Sequence, residues 1–238
     1  LRSPSFAGRT DTGRQRDHNE DAFNMAASQG IAVLADGMGA HSAGEIASEI
    51  AISTTMSILG QTAGLSAHDR LETAVHAAHA GILEKAASST RYQGMGTTIV
   101  AVLLEDSTLT VAHVGDSRLY LFRKGRLTAL THDHSLQQEF IDKGLYSVEE
   151  AKQKVARNIL TNALGLDQAL KVDINAFTVH SGDRYLLCSD GLHEMLSDDE
   201  IAALLGLGQK GDATCEELID QANAKGGKDN ITVIVIDT

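Results

Sequence analysis

The run IAVLA, Ile31 to Ala35, leads directly into DGMGAHSAGE, Asp36 to Glu45, and no other feature of the chain restricts its fold as much. Five consecutive apolar residues read as a strand buried on both faces. The carboxylate and glycines that follow require a turn at an open cleft. Ser42 and Glu45 carry a capping-box pattern, so a helix rather than a returning strand is expected next. Taken alone, Asp36-Gly37 is equally a hairpin turn.

The same design recurs. Asp190 and Gly191 follow the apolar strand Tyr185 to Cys188, Asp229 precedes the strand Ile231 to Ile236, and Asp116 closes the strand Leu109 to Val114. Glu20 and Asp21 stand just ahead of Ala22 to Met25. Gathered in one cleft, these carboxylates would repel one another and be costly to desolvate unless cations neutralised them. An all-oxygen ligand set selects hard divalent ions such as Mg²⁺ or Mn²⁺ over zinc. Two such ions about 4 Å apart activate water and stabilise in-line displacement at phosphorus, so the suggested class is metal-assisted hydrolysis. A dinucleotide-binding glycine loop competes for Asp36 to Gly44. Against it, Ser42 stands where the third glycine belongs, and Asp36 would face the pyrophosphate.

The length of 238 residues permits one large domain or two small ones, and a single proline with no Ser/Gly/Pro-rich run favours one. With 42% hydrophobic and 22% charged residues the composition is that of a soluble globular protein, and no apolar run nears the ~18 residues of a membrane span. The absence of a signal-peptide pattern gives a cytoplasmic expectation. A net charge of −12 argues against nucleic acid and anionic membrane as partners. Cys188 and Cys215 lack ligand spacing, and Cys188 reads as a small buried hydrophobe.

Along the chain, two short strands precede a helix whose buried face is expected at Ala47, Ile50, Ala51, Thr54 and Ile58. A second helix, about Ser66 to Ala87, should bury Leu71, Ala74, Val75, Ala78 and Ile82. Strands at Thr97 to Leu104, Leu109 to Val114, Arg118 to Arg123 and about Leu127 to Leu130 suggest an antiparallel meander. Helical segments follow at Ser135 to Lys143 and Glu149 to Ala156, then strands at Val172 to Val179 and Arg184 to Cys188. Capping patterns at Ser197/Glu200 and Thr214/Glu217 open the last helices. Strands in runs and helices in pairs indicate an α+β sandwich of antiparallel sheets rather than a doubly wound parallel sheet.

Arg16, four residues before Glu20, could reach the same cleft along an extended strand and bind phosphate bidentately, though an arginine chosen at random is simply solvated. His134 could position a loop and His113 reads as a core histidine; neither is expected to bind metal.

The ordered series GRQRDHNED, DGMGAHSAGE, GMGTT, HVGDSRLY, THDHSL, NILTNALG, GDRYLLCSDGL and GGKDNITVIVI resembles the bacterial branch of the type 2C (PPM) metal-dependent protein serine/threonine phosphatases, over about residues 6 to 238. The resemblance implies a four-layer α-β-β-α sandwich with two central antiparallel sheets. It implies one catalytic domain, 1–238, with a mobile flap at about 137–157. It further implies hydrolysis of phosphoserine and phosphothreonine in proteins by direct attack of water activated at a binuclear Mn²⁺ or Mg²⁺ centre, reversing a Ser/Thr kinase.

By position, Asp36 matches the carboxylate bridging the two ions. Gly37 lends its carbonyl to the second ion and Glu20 reaches it through water, while Asp190 and Asp229 match ligands of the first. Asp116 with Asp190 matches the pair holding a weaker third ion, and Arg16 the substrate-phosphate arginine. Met38 stands where many eukaryotic members have a histidine proposed as general acid, leaving protonation of the leaving group to water on an ion. Ala40 replaces a common glycine, Asn162 a frequent arginine, and Lys154-Val155 a common His-Pro in the flap. A catalytically silent phosphoprotein-binding relative and a hydrolase of small phosphoesters are the alternatives; loss of a ligand carboxylate would favour the first, and all are present.

Overall fold

The computed structural model describes residues 3–40, 43–61, 64–156, 159–166 and 169–238. Ser42, and with it the expected first capping box, lies outside them, as does Arg157 at the end of the expected flap.

The strands are β1 (Ser5–Asp11), β2 (Asp21–Ala26), β3 (Ile31–Met38), β4 (Gly96–Thr97), β5 (Ile99–Glu105), β6 (Thr108–Val114), β7 (Arg118–Arg123), β8 (Arg126–Ala129), β9 (Asp173–Thr178), β10 (Arg184–Cys188) and β11 (Ile231–Asp237). One sheet has the order β1-β11-β10-β7-β8 and the other β2-β3-β5-β6-β9, with β4 paired to β3; every pairing is antiparallel. The helices are α1 (Ala43–Gln61), α2 (Ala67–Ala87), α3 (Leu136–Asp142), α4 (Val148–Lys154), α5 (Asp190–His193), α6 (Asp198–Leu205) and α7 (Gly211–Ala224). Helices α1 and α2 pack on the second sheet, and α5 to α7 on the first, giving four layers.

The period-two rule explains why IAVLA is apolar throughout. Ile31, Val33 and Ala35 join the cluster under α1 and α2, while Ala32 and Leu34 face the other sheet with Tyr185, Leu187, Ile234 and Ile236. In β11, Val233 and Val235 turn to the helices and Ile234 and Ile236 to the sheet interface. Each central strand is thus buried on both faces.

The structure corrects several expectations. Strand β1 precedes the two foreseen at the N-terminus; its only buried residue is Ala7, so it carries no apolar run to announce it. The strands from β5 to β8 are not one meander: β5 pairs β6 in one sheet and β7 pairs β8 in the other. The chain changes sheet at Gly115 (φ 107°), in a backbone region that glycine enters without steric cost. Helix α1 buries Ala47 and Ala51 as expected, but with Ser48, Ile52, Thr55 and Leu59, leaving Ile50, Thr54 and Ile58 half-buried. Thr214 caps nothing; it is buried inside α7, where its hydroxyl donates to Lys210 O at 3.1 Å.

Helix α2 buries the five residues expected of it, and Ser66 is its N-cap, accepting from Asp69 N at 3.1 Å. Ser66→Ala should remove about 1 kcal/mol of stability and lower Tm by roughly 2–4 °C without touching catalysis. An unchanged melting curve would show that the cap contributes nothing.

Candidate metal centre

Antiparallel register collects the carboxylates. The start of β2 lies opposite the end of β3, placing Asp21 against Asp36. The end of β10 lies beside the start of β11, bringing Asp190 near Asp229. The start of β5 lies beside the end of β6, which delivers Asp116. All of these strand ends meet at one edge of the sandwich. A cavity of about 180 Å³ there is lined by Arg16, Glu20, Asp36, Gly37, Met38, Gly39, Thr98, Asp116, Leu160, Asp190 and Asp229, which includes every site residue expected from the sequence.

Their surroundings hold them in place. Asp36 sits within β3, not beyond its end, and is fixed by Asp36 N donating to Thr98 Oγ1 (3.0 Å) and by Asp36 O accepting from Thr98 N and Thr97 Oγ1 (2.9 and 2.8 Å). A Cβ on Gly37 would fall 2.1 Å from Gly44 O and 2.6 Å from Glu20 O, so only glycine fits there. Arg16 and Glu20 lie in the loop between β1 and β2 rather than on an extended strand. Asn230 ties that loop down: its amide donates to Thr12 O and His18 O, both at 2.9 Å, and its Oδ1 accepts from Glu20 N at 2.8 Å. Arg16 Nη2 reaches Asp229 Oδ2 at 2.6 Å.

Asp21, counted among the strand-end carboxylates but given no role in the sequence reading, is a further functional candidate. It is buried, and its Oδ2 accepts from Ser189 Oγ (2.8 Å) and Thr232 Oγ1 (2.6 Å), clamping the two sheets at the site edge. The signal available was its place next to Glu20 at the start of β2.

His113, His134 and Asp173 stand close enough to hold an ion, but their hydrogen bonds give them another task. Gly115 N donates to His134 Nδ1 (3.2 Å), so Nε2 carries the proton and donates to Asp173 Oδ2 (3.1 Å). His113 Nε2 donates to Gly115 O (2.9 Å), and His193 Nε2 to Asp116 O (3.0 Å). Burial lowers His113 to about 4 and His193 to about 3, so both are neutral donors. Together the three histidines brace the turn that carries Asp116. Asn162, at the position where a frequent arginine is replaced, donates to Lys171 O at 2.6 Å beside His134.

The electrostatics suit cations. Burial, then the neighbouring Asp21, Asp190, Asp116 and Asp229, raise the Asp36 carboxyl well above its ordinary range. Asp190 is raised likewise by burial, then Asp116 and Asp229. Asp116 is pushed up to about 7 by burial and Asp133, and Asp21 to about 6 by burial, with Asp229 adding to it. Among the described residues Glu20 Oε1, Asp21 Oδ1 and Asp190 Oδ1 are buried without a hydrogen-bond partner. Such atoms are costly unless a cation takes the place of a donor, and oxygen donors of this kind fit a hard divalent ion.

Two antiparallel sheets between helical layers, with a cluster of carboxylate oxygens at their common edge, match the architecture of a metal-dependent hydrolase. The protein phosphatase 2C family model matches residues 10–230, and the chain belongs to that family, the metal-dependent protein phosphatases. The chain is 38% identical over 236 residues to the serine/threonine phosphatase stp of Listeria welshimeri, covering 96% of this chain and 94% of that one. Its fold superposes on the serine/threonine phosphatase PstP/Ppp of Mycobacterium tuberculosis with a TM-score of 0.92, at 36% identity and 98% coverage of both chains. It also matches the PstP catalytic domain in complex with two manganese ions, with a TM-score of 0.90 at 35% identity, covering 98% of this chain and 97% of that one. Among the described residues no helix is long and apolar enough to cross a membrane.

Proposed function

We propose that this protein hydrolyses phosphoserine and phosphothreonine in proteins at the edge cavity, reversing a Ser/Thr kinase. The observation that carries this reading is the convergence of Glu20, Asp36, Asp116, Asp190, Asp229 and Arg16 on one small cavity in a protein phosphatase 2C fold. In this reading Asp36, Asp190 and Asp229 would hold one Mn²⁺ or Mg²⁺ ion, and Asp36, the Gly37 carbonyl and Glu20 a second. Asp116 and Asp190 hold a weaker third ion. When bound, the ions supply a water nucleophile at neutral pH and neutralise charge on the phosphoryl oxygens. We further assign residues 1–238 to one catalytic domain with a flap at about 137–157, and a cytoplasmic location.

The chain's own groups supply the rest. Arg16, held at the cavity by Asp229, presents a guanidinium to the phosphate dianion. The braced turn holds Asp116 in the wall of the same cavity. Met38 offers no ionisable proton, so it takes no part in protonating that oxygen.

Phosphate release from phosphoserine, phosphothreonine and phosphotyrosine peptides tests the reading: turnover of the first two is expected, and inertness toward both would overturn it. Arg16→Ala should mainly raise KM, with kcat falling less, because the contact already exists in the ground state. An unchanged KM with a large loss of kcat would make Arg16 a transition-state element instead.

A further inference from the structure

A second cavity, of about 640 Å³, adjoins the metal centre. Asp116 lines both, and the consecutive residues Ile159 and Leu160 divide them, Ile159 lining the larger and Leu160 the smaller. One wall of the larger cavity is built from α3 and α4, the other from α5, α6 and the end of β8. Ile159 is tied to α3 by Leu136 N donating to Ile159 O at 2.8 Å.

The lining is apolar and dipolar at once. Val148 and Ile159 are 45% and 44% exposed, and Leu196 lines the same cavity. At the floor, Arg118 and Asp133 neutralise each other through two hydrogen bonds of 2.9 and 2.6 Å, and Arg118 also donates to Tyr120 Oη at 2.7 Å. Of the other charged residues in the lining, Asp198 stands at the start of α6, Lys152 on α4 and Asp116 at the junction with the smaller cavity. Asp198 is exposed and accepts from Tyr120 Oη at 3.2 Å.

Resting on the phosphatase reading, we infer that this groove seats the polypeptide next to the phosphorylated residue and selects a basic side chain, which points at Asp198. Continuity through Asp116 places a flanking segment there once the phosphate occupies the smaller cavity. The aliphatic residues cover its backbone and stems, Asp198 favours Arg or Lys, and Lys152 disfavours a basic residue beside α4.

The test scans arginine and glutamate through each flanking position of short phosphothreonine peptides, with p-nitrophenyl phosphate, which has no flank, as the reference. Wild type should prefer arginine at a flanking position. Asp198→Asn keeps an acceptor for Tyr120 and removes only charge; kcat/KM on the arginine peptide should fall about threefold to fivefold, the scale of one exposed charge contact. Val148→Gln should raise KM for all peptides, and Lys152→Glu should increase the preference for arginine. All three variants should hydrolyse the aryl phosphate at the wild-type rate, which also reports that they fold. A wild type active on phosphopeptides but indifferent to the flanks, or variants that lose the aryl phosphate activity in proportion, would overturn the groove alone. A wild type inert on every phosphopeptide would overturn the phosphatase reading and the groove with it.

Discussion

Asp36→Asn is expected to reduce phosphothreonine-peptide hydrolysis by at least about 1,000-fold, the scale of several kcal/mol of transition-state stabilisation that a metal centre provides. Asp190→Asn should do the same. Asp190 is buried and Asp36 half-buried, both are raised well above the ordinary range by desolvation and by like charges around them, and among the described residues one oxygen of Asp190 has no hydrogen-bond partner. Their ionised forms are therefore costly to folding unless an ion offsets the cost. The amides remove that cost. In the presence of a chelator each variant should melt higher than the wild type, whereas added Mn²⁺ should raise Tm of the wild type far more than that of either variant. Variants that lose activity yet show the full Mn²⁺-dependent rise in Tm would remove these residues from the ligand set.

Asp116→Ala separates the core ions from the third. Asp116 enters from the turn where the chain changes sheet, braced by His113, His134 and His193, and in the proposed ligand set shares only Asp190 with the main pair. Its removal should leave the two tighter sites intact in a calorimetric titration. Catalysis should still collapse on phosphoserine peptides, whose leaving alkoxide is basic, because Met38 supplies no proton and protonation then depends on what Asp116 holds. The loss should be on the order of 100-fold or more on the peptide and mild on p-nitrophenyl phosphate, whose leaving group needs little protonation. Equal losses on the two substrates, or loss of the tight sites, would reject this role.

The carboxylates were legible because each interrupts or abuts an apolar run. Asp36, Asp116, Asp190 and Asp229 mark the ends or edges of strands whose apolar residues are buried on both faces, and a charge in such a place has few structural reasons to be there. Helix α2 was legible because its stripe is regular and its cap conventional. What escaped had no local signature. Strand β1 buries only Ala7 and reads as a polar segment, and the change of sheet at Gly115 is as short as a hairpin turn. Asp21 owes its burial to Ser189 and Thr232, more than 160 positions away, and Asn230 organises the Arg16 loop across a similar separation. Thr214 followed by Glu217 carries the same pattern as Ser197 with Glu200; only the earlier start of α7 at Gly211 distinguishes the buried residue from the cap.

The central claim is that hydrolysis of a protein phosphoester at this edge depends on divalent cations held by Asp36 and its neighbours. Its most direct test is phosphate release from a phosphothreonine peptide by chelator-stripped protein, measured before and after Mn²⁺ is restored. No turnover in the stripped protein and full turnover on restoration are predicted; full turnover by the stripped protein would contradict the account.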